Sequence, residues 1–262
     1  MGPTTTDAET AGRDQSHDRD RGRGRANGGT ALDRAIAAFA EGSPVLIHDA
    51  ADREGETDLV YPTRAVTPAA LARLRNDAGG LVCVALSDAV ADAWELPFTQ
   101  EELAHPAAAD HDLGYDERSS FSLTVNHRDT YTGITDEDRA LTVSELGRAA
   151  ATPERYDFSS TFRAPGHVHL LRGAPDLLAD RRGHTELGLA LAATTEAPPA
   201  VAVCEMLADG GGALSPGDAS VRRAQRVGLR RGRLDTRTPR LNRRFGARRY
   251  PRSPLSNRGF GY

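Results

Sequence analysis

The segment Arg53-Glu54-Gly55-Glu56-Thr57-Asp58 places three carboxylates within five residues, between two short apolar runs. At the end of a strand, alternate side chains converge on one side, so Glu54, Glu56 and Asp58 can share a face. Three like charges in such proximity are costly unless an Arg or a cation neutralises them. A hard divalent ion such as Mg²⁺ is one solution, held by one or two carboxylates together with substrate oxygens. Taken alone, the same residues also describe a solvated acidic loop. A second segment, Arg181-Arg182-Gly183-His184-Thr185-Glu186, precedes a Leu- and Ala-rich helical stretch. Free N–H groups and the helix dipole favour a phosphate at such a position. Arg adds bidentate anion binding, and His184 offers a nitrogen to a metal; ordinary helix capping describes the segment equally well. A third, Arg163-Ala164-Pro165-Gly166-His167, reads as a turn that sets a His at the start of a strand, where structural histidines also occur.

These segments must be positioned by regular elements. Leu32, Ile36 and Phe39 recur at helical spacing, and Gly42 stops the run. Pro44 to Ile47 is a short apolar strand leading into the carboxylate loop, and Leu59 to Tyr61 resumes a strand. Thr67 before Pro68 marks a helix start, with the helix ending near Gly79-Gly80. Leu81 to Leu86 is a strand containing Cys83, and Ser87 caps a short acidic helix. Residues 97–119 read as irregular and charged. Phe121 to Asn126 alternates as a half-buried strand does. Thr142 opens a helix, Gly166 to Leu171 is strand-like, Thr185 caps a further helix, and Ala200 to Cys204 is a strand. Strands alternating with helices predict one α/β domain, a layered sandwich of a mixed sheet flanked by helices.

The 262 residues carry a formal charge of −4, which hides a sharp split. Residues 1–29 hold five Arg against five acids; residues 30–220 net −17; residues 221–262 hold 14 Arg against one acid, Asp235. Every basic residue is Arg. Residues 1–29 have too little apolar content to offset their ordering entropy and read as a disordered extension. No apolar stretch approaches the roughly 18–20 residues that span a bilayer, and no apolar segment follows Met1, so a cytoplasmic, non-membrane chain is expected. Cys83 and Cys204 form no zinc or disulfide pattern. The acidic body argues against nucleic-acid binding, except adventitiously through the Arg-rich tail.

The motifs DREGETD, GGLVC, SFSLTVNHRDTYTGITDEDRA, FRAPGHV, RRGHTE and the Cys-Glu of VAVCEM occur in this order. In combination the chain resembles 3,4-dihydroxy-2-butanone 4-phosphate synthases, most closely the archaeal, single-function form, over residues 30–220. The resemblance implies conversion of ribulose 5-phosphate to the four-carbon precursor of riboflavin and formate, with Mg²⁺ or Mn²⁺, two ions per site. It implies Glu54 and His184 as metal ligands. Arg53, Glu54, Asp58, Thr132, Arg181, Arg182, Gly183, His184, Thr185 and Glu205 would contact substrate. His167 and Glu205, with Asp49 and Cys83, would be catalytic, and Glu56 and Glu186 lie at or near the site. Cys83 equally suits a small buried hydrophobe. A homodimer whose site is completed across the interface is also implied. His105, His111 and His127 read as structural or surface residues.

A ketose has an acidic C–H beside its carbonyl, so a carboxylate or His that takes that proton, and a cation that stabilises the enediolate, fit these residue types. Residues 221–262 depart from the resemblance: after Gly217 no apolar strand is recognisable. They read as a disordered tail, or as the product of a shifted frame, since suitable codons for Ser220 to Gly232 read one base later can spell an amphipathic helix and an apolar strand. Two other functions are compatible with the chain: a non-catalytic relative that binds sugar phosphate or Mg²⁺, and a polyanion-binding protein acting through the tail.

Overall fold

The central strands are buried on both faces, which is why they read as continuous apolar runs rather than as alternation. In the computed structural model, residues 30–49, 53–109, 113–114, 116–220 and 233–235 are described. The expectations for residues 1–29, for His111 and for the remainder of 221–262 lie outside them.

Helix α1, Ala31–Ala40, starts from a reciprocal cap in which Thr30 Oγ1 accepts from the Asp33 N–H and Asp33 accepts from the Thr30 N–H. Strands β1, Val45–His48, and β2, Thr57–Pro62, flank the carboxylate loop. Helix α2, Pro68–Arg73, is capped by Thr67 as expected, and its last turn, Leu74–Ala78, widens before Gly79 closes it at φ +92°. Strand β3, Cys83–Leu86, leads through Ser87 into α3, Asp88–Ala93. The charged stretch after it contains two single turns, α4, Thr99–Glu102, and α5, Pro106–Ala109. Then follow β4, Phe121–His127; α6, Asp136–Ala150; α7, Phe158–Thr161; β5, Phe162–Arg172; α8, His184–Thr194; and β6, Ala200–Glu205. Arg233–Asp235 adds β7.

The strands form one mixed sheet in the order β4-β5-β3-β6-β2-β1-β7. β3 runs parallel to β5 and β1 parallel to β7; the other neighbours are antiparallel. Period-two alternation sorts each strand between two cores. Leu46, Val84, Leu86, Ala202 and Cys204 face a core built with α2, α3 and α6. Val45, Ile47, Val60, Cys83, Ala85 and Val203 face the other, built with α1 and α8. The outcome is the expected helix–sheet–helix sandwich in a single domain.

Four local expectations are corrected. Thr142 does not open a helix: α6 begins six residues earlier, at Asp136, and its cap is Thr135, which accepts from the Asp138 N–H at 3.1 Å. The charged run Asp136–Arg139 has no apolar period to announce it, whereas Thr142 sits mid-helix and accepts from the His127 N–H at 3.0 Å. Thr185 caps nothing, because Gly183 is the N-cap and Thr185 is the second helical residue, buried. Arg163–His167 is not a turn before a strand but a bulge within β5, where pairing with β4 jumps from Val125↔Val168 to Asn126↔Arg163. And a strand does follow Gly217: β7 pairs with β1, from Leu46↔Arg233 to His48↔Asp235. A three-residue edge strand needs only main-chain pairing, so it leaves no apolar run to recognise.

Candidate functional site

The face of the sheet under α8 ends in polar residues, and the alternation that places Val60 and Val203 on that face places Asp58 and Glu205 there too. Asp58 and Glu205 are directly opposite on β2 and β6. The carboxylate loop folds back onto this end. His48 Nδ1 donates to the Glu56 carbonyl at 2.6 Å. The Asp49 carboxylate accepts from the Glu54 and Glu56 N–H groups at 3.3 and 3.2 Å. Gly55 between them adopts φ +66°, where any side chain would be strained although the space around it is open.

The loop delivers Glu54 to the first residue of α8: His184 Nε2 lies 3.0 Å from Glu54 Oε2 and 3.8 Å from Asp58 Oδ2. Asp49, Glu54 and His184 each offer a donor atom within 4.8 Å of the others, the geometry of a cation site. Asp49, Asp58 and His184 are buried, and neither Asp58 oxygen nor His184 Nδ1 has a hydrogen-bond partner. Unpaired buried polar atoms of this kind are costly and call for a partner. Burial pushes the Asp58 carboxyl up to about 7, opposed by His184 and reinforced by Glu205, Glu56 and Glu54. Burial would lower the His184 imidazole, but Asp58, Glu54 and Asp49 outweigh it and hold it at about 10. Glu54 feels burial in the raising direction, yet its hydrogen bond and charge pairing with His184, with Arg181 and Arg53 behind, keep it below the usual range. Burial holds back the ionisation of Asp49 and Asp58 beside a single imidazolium, and a divalent cation in the same place would favour all three carboxylates in their charged form.

Two arginines close one side. Arg181 Nη1 donates to Glu186 at 2.9 Å, and its Nη2 lies 3.8 Å from Glu54. Glu186, fully buried, also accepts from the Ala174 N–H at 3.1 Å, so it fixes Arg181 to the segment before α8. A Cβ on Gly183 would lie 2.5 Å from the Arg181 guanidinium, so a larger residue here would push Arg181 out of this position. Arg53 Nε lies 3.8 Å from Asp49. Both arginines converge on a residue the sequence reading did not single out: Asp116 Oδ2 accepts from Arg53 Nη2 at 3.2 Å and from Arg181 Nε. Asp116 sits in the charged irregular stretch before β4, where no period or motif distinguishes one acid from its neighbours. Arg182 is exposed and Thr185 is buried.

Glu205 is held from the β3 side. Its Oε2 accepts from the Leu81 N–H at 2.8 Å and its carbonyl from the Gly80 N–H at 3.0 Å. A Cβ on Gly80 would lie 2.4 Å from Oε2 and 2.7 Å from the Glu205 carbonyl oxygen, so this approach requires Gly80 to be glycine. Cys83, opposite His169 and Val203, is fully buried, and burial, with Glu205 adding, pushes its thiol well above the usual range. His167 and Thr132 belong to a second group. Asn126 Oδ1 accepts from the His167 N–H at 2.8 Å, and Asn126 Nδ2 donates to His167 Nδ1 at 3.2 Å. Gly133 packs on Asn126, where a Cβ would lie 2.0 Å from Nδ2. Asp138 gathers the N–H groups of Tyr131, Thr132 and Gly133, and the Thr132 hydroxyl as well. His167 and Thr132 are exposed, and their hydrogen bonds run to this group rather than to the carboxylate cluster. His105 is exposed, and His127 is buried edge-on to Phe162.

Comparison with known proteins bears on this geometry. The sequence model of the 3,4-dihydroxy-2-butanone 4-phosphate synthase family matches residues 33–235. The synthase of Archaeoglobus fulgidus is 48% identical over 189 residues, covering 67% of this chain and 79% of that protein. A two-domain synthase of A. baumannii superposes with TM-score 0.64 at 25% identity over 78% of this chain, which spans only 55% of that chain. A synthase crystallised with two magnesium ions superposes with TM-score 0.62 at 29% identity, covering 79% of this chain and 93% of that one. The chain therefore belongs to the 3,4-dihydroxy-2-butanone 4-phosphate synthase family.

Proposed function

We propose that the chain converts D-ribulose 5-phosphate to L-3,4-dihydroxy-2-butanone 4-phosphate and formate in riboflavin biosynthesis, as a cytoplasmic homodimer with Mg²⁺ or Mn²⁺, two ions per site. The observation that carries this reading is the convergence of donor atoms from buried Asp49, half-buried Glu54 and buried His184, beside a buried Asp58 whose oxygens accept no hydrogen bond. Glu54 and His184 would hold metal, and the donor set fits it. A divalent cation bound there supplies Lewis-acid polarisation of substrate oxygens.

The chain's own residues do the rest. Arg53, Arg181, Arg182 and the start of α8 at Gly183 and Thr185 bind the phosphate, so that binding energy fixes the sugar against the carboxylates. Asp49 holds the loop amides that aim Glu54. Glu205, with Oε2 anchored by the Leu81 amide, and Asp58 opposite it receive and return protons at their carboxylate oxygens. Asn126 engages His167 Nδ1, so Nε2 is the nitrogen that exchanges protons. Cys83, a fully buried thiol on β3, lies behind Glu205 and Asp58, whose charges add to burial in raising it. His167 and Thr132 act on the cluster of a second subunit, which accounts for their separate, exposed grouping. No helix among the described residues is long and apolar enough to cross a membrane. Glu54→Gln tests the reading: formate release from ribulose 5-phosphate should disappear while circular dichroism is unchanged. Undiminished turnover would refute the metal assignment.

A further inference from the structure

Among the described residues, Asp116 accepts a hydrogen bond from each of the two arginines and so joins them to each other. It reaches Arg53 and Arg181 from 63 and 65 residues away in the chain, and the three side chains are about equally sheltered, 15–16% exposed. The same oxygen, Oδ2, accepts from both guanidinium groups, while Oδ1 accepts from the Glu117 N–H at 3.0 Å. Both arginines also contact the inner carboxylates: Arg181 meets Glu186 and Glu54, and Arg53 meets Asp49. Asp116 differs from these. Glu186 and Asp49 are buried in the framework, whereas Asp116 stands on an irregular segment with its neighbour Glu117 exposed. A single oxygen bridging two guanidinium groups is also what one oxygen of a phosphate monoester does when two arginines bind it.

We propose that Asp116 is an internal anion that occupies the Arg53–Arg181 pair until a phosphate monoester displaces it, so that it sets the threshold for phosphorylated over unphosphorylated sugars. The inference rests on the reading of these arginines as the phosphate site. A dianion carries more charge and more acceptor oxygens than a carboxylate, so it wins the exchange; a neutral hydroxymethyl group in its place does not. Asp116 is thus a specificity-determining residue that acts through the arginines, and it takes no part in the proton transfers.

The test is calorimetric titration of inorganic phosphate into the full metal-free chain, comparing the native protein with Asp116→Asn and Asp116→Ser. Loss of the competing ion pair should tighten phosphate about fivefold, close to 1 kcal/mol, in both variants. Asp116→Glu, which keeps the charge, should leave the affinity near native. The KM for ribulose 5-phosphate should fall by the same factor in the Asn variant. Unchanged or weakened phosphate binding in both neutral variants, or a raised KM, would overturn the proposal and make Asp116 ordinary scaffolding. Arg181→Gln separates the two levels. If it binds phosphate as well as the native protein, the arginine site itself is wrong; if it loses phosphate while the Asp116 variants gain nothing, only the role of Asp116 fails.

Discussion

Asp58→Asn should stabilise the metal-free protein while destroying its activity, and the size of the gain should depend on pH. Asp58 is fully buried, and neither oxygen has a hydrogen-bond partner. Burial, net of the attraction to His184, raises its carboxyl from the usual 3.8 to about 7. An unfolded chain therefore loses this proton near pH 4, whereas the folded protein keeps it to about 7. Between those values the folded state binds more protons, so stability falls as pH rises and then levels off above 7. A span of about three pH units at about 1.4 kcal/mol each gives an upper bound of about 4 kcal/mol. An amide still has to be buried without full hydrogen bonding, so the expected gain is about half, about 2 kcal/mol. For a domain of this size that raises Tm by about 4–8 °C. The assay is thermal unfolding in chelator at pH 8 and at pH 4: the Asn variant should be more stable at the higher pH and indistinguishable at the lower. A variant no more stable at pH 8, or equally stabilised at both, would refute the argument that this carboxylate is an unmet charge kept for function.

Three further outcomes follow from the same geometry. Metal must displace the proton that His184 holds up to about 10, so Mg²⁺ affinity should rise with pH through neutrality, and titrations in buffers of different ionisation enthalpy should register proton release. Gly80→Ala drives a Cβ within 2.4 Å of Glu205 Oε2, which should cost about 1–3 kcal/mol in chemical denaturation and lower kcat by displacing Glu205. Thr135→Ala removes the α6 cap and should cost about 1 kcal/mol without altering Mg²⁺ binding, since α6 packs on the opposite core.

What the sequence made legible followed from local physics. Thr67-Pro68 and Ser87 cap where expected because capping is a short-range contract between neighbours. Charge density and helix position marked the carboxylate loop and the segment before α8 as candidates, while a solvated loop and ordinary capping described the same residues equally well. What was hidden depends on long-range placement. Asp116 meets Arg53 and Arg181 across more than sixty residues, and nothing near it in the chain records that meeting. The β5 bulge that carries His167 is a mismatch with β4, so it exists only once the two strands pair. Thr142 misled because a mid-helix Thr and a capping Thr look alike until a partner, here the His127 amide, takes the hydroxyl. Burial of Thr185 was concealed because α8 is apolar all round, the pattern of a helix enclosed on every side.

The central claim is that the Asp49–Glu54–Asp58–His184 cluster, loaded with a divalent cation, turns over ribulose 5-phosphate. The most direct measurement is formate release from that sugar by the full chain, with Mg²⁺ present and again after chelation. Steady formate production that stops in chelator and returns with added Mg²⁺ is the predicted result. A folded, Mg²⁺-binding protein that releases no formate, or release indifferent to chelation, would contradict it.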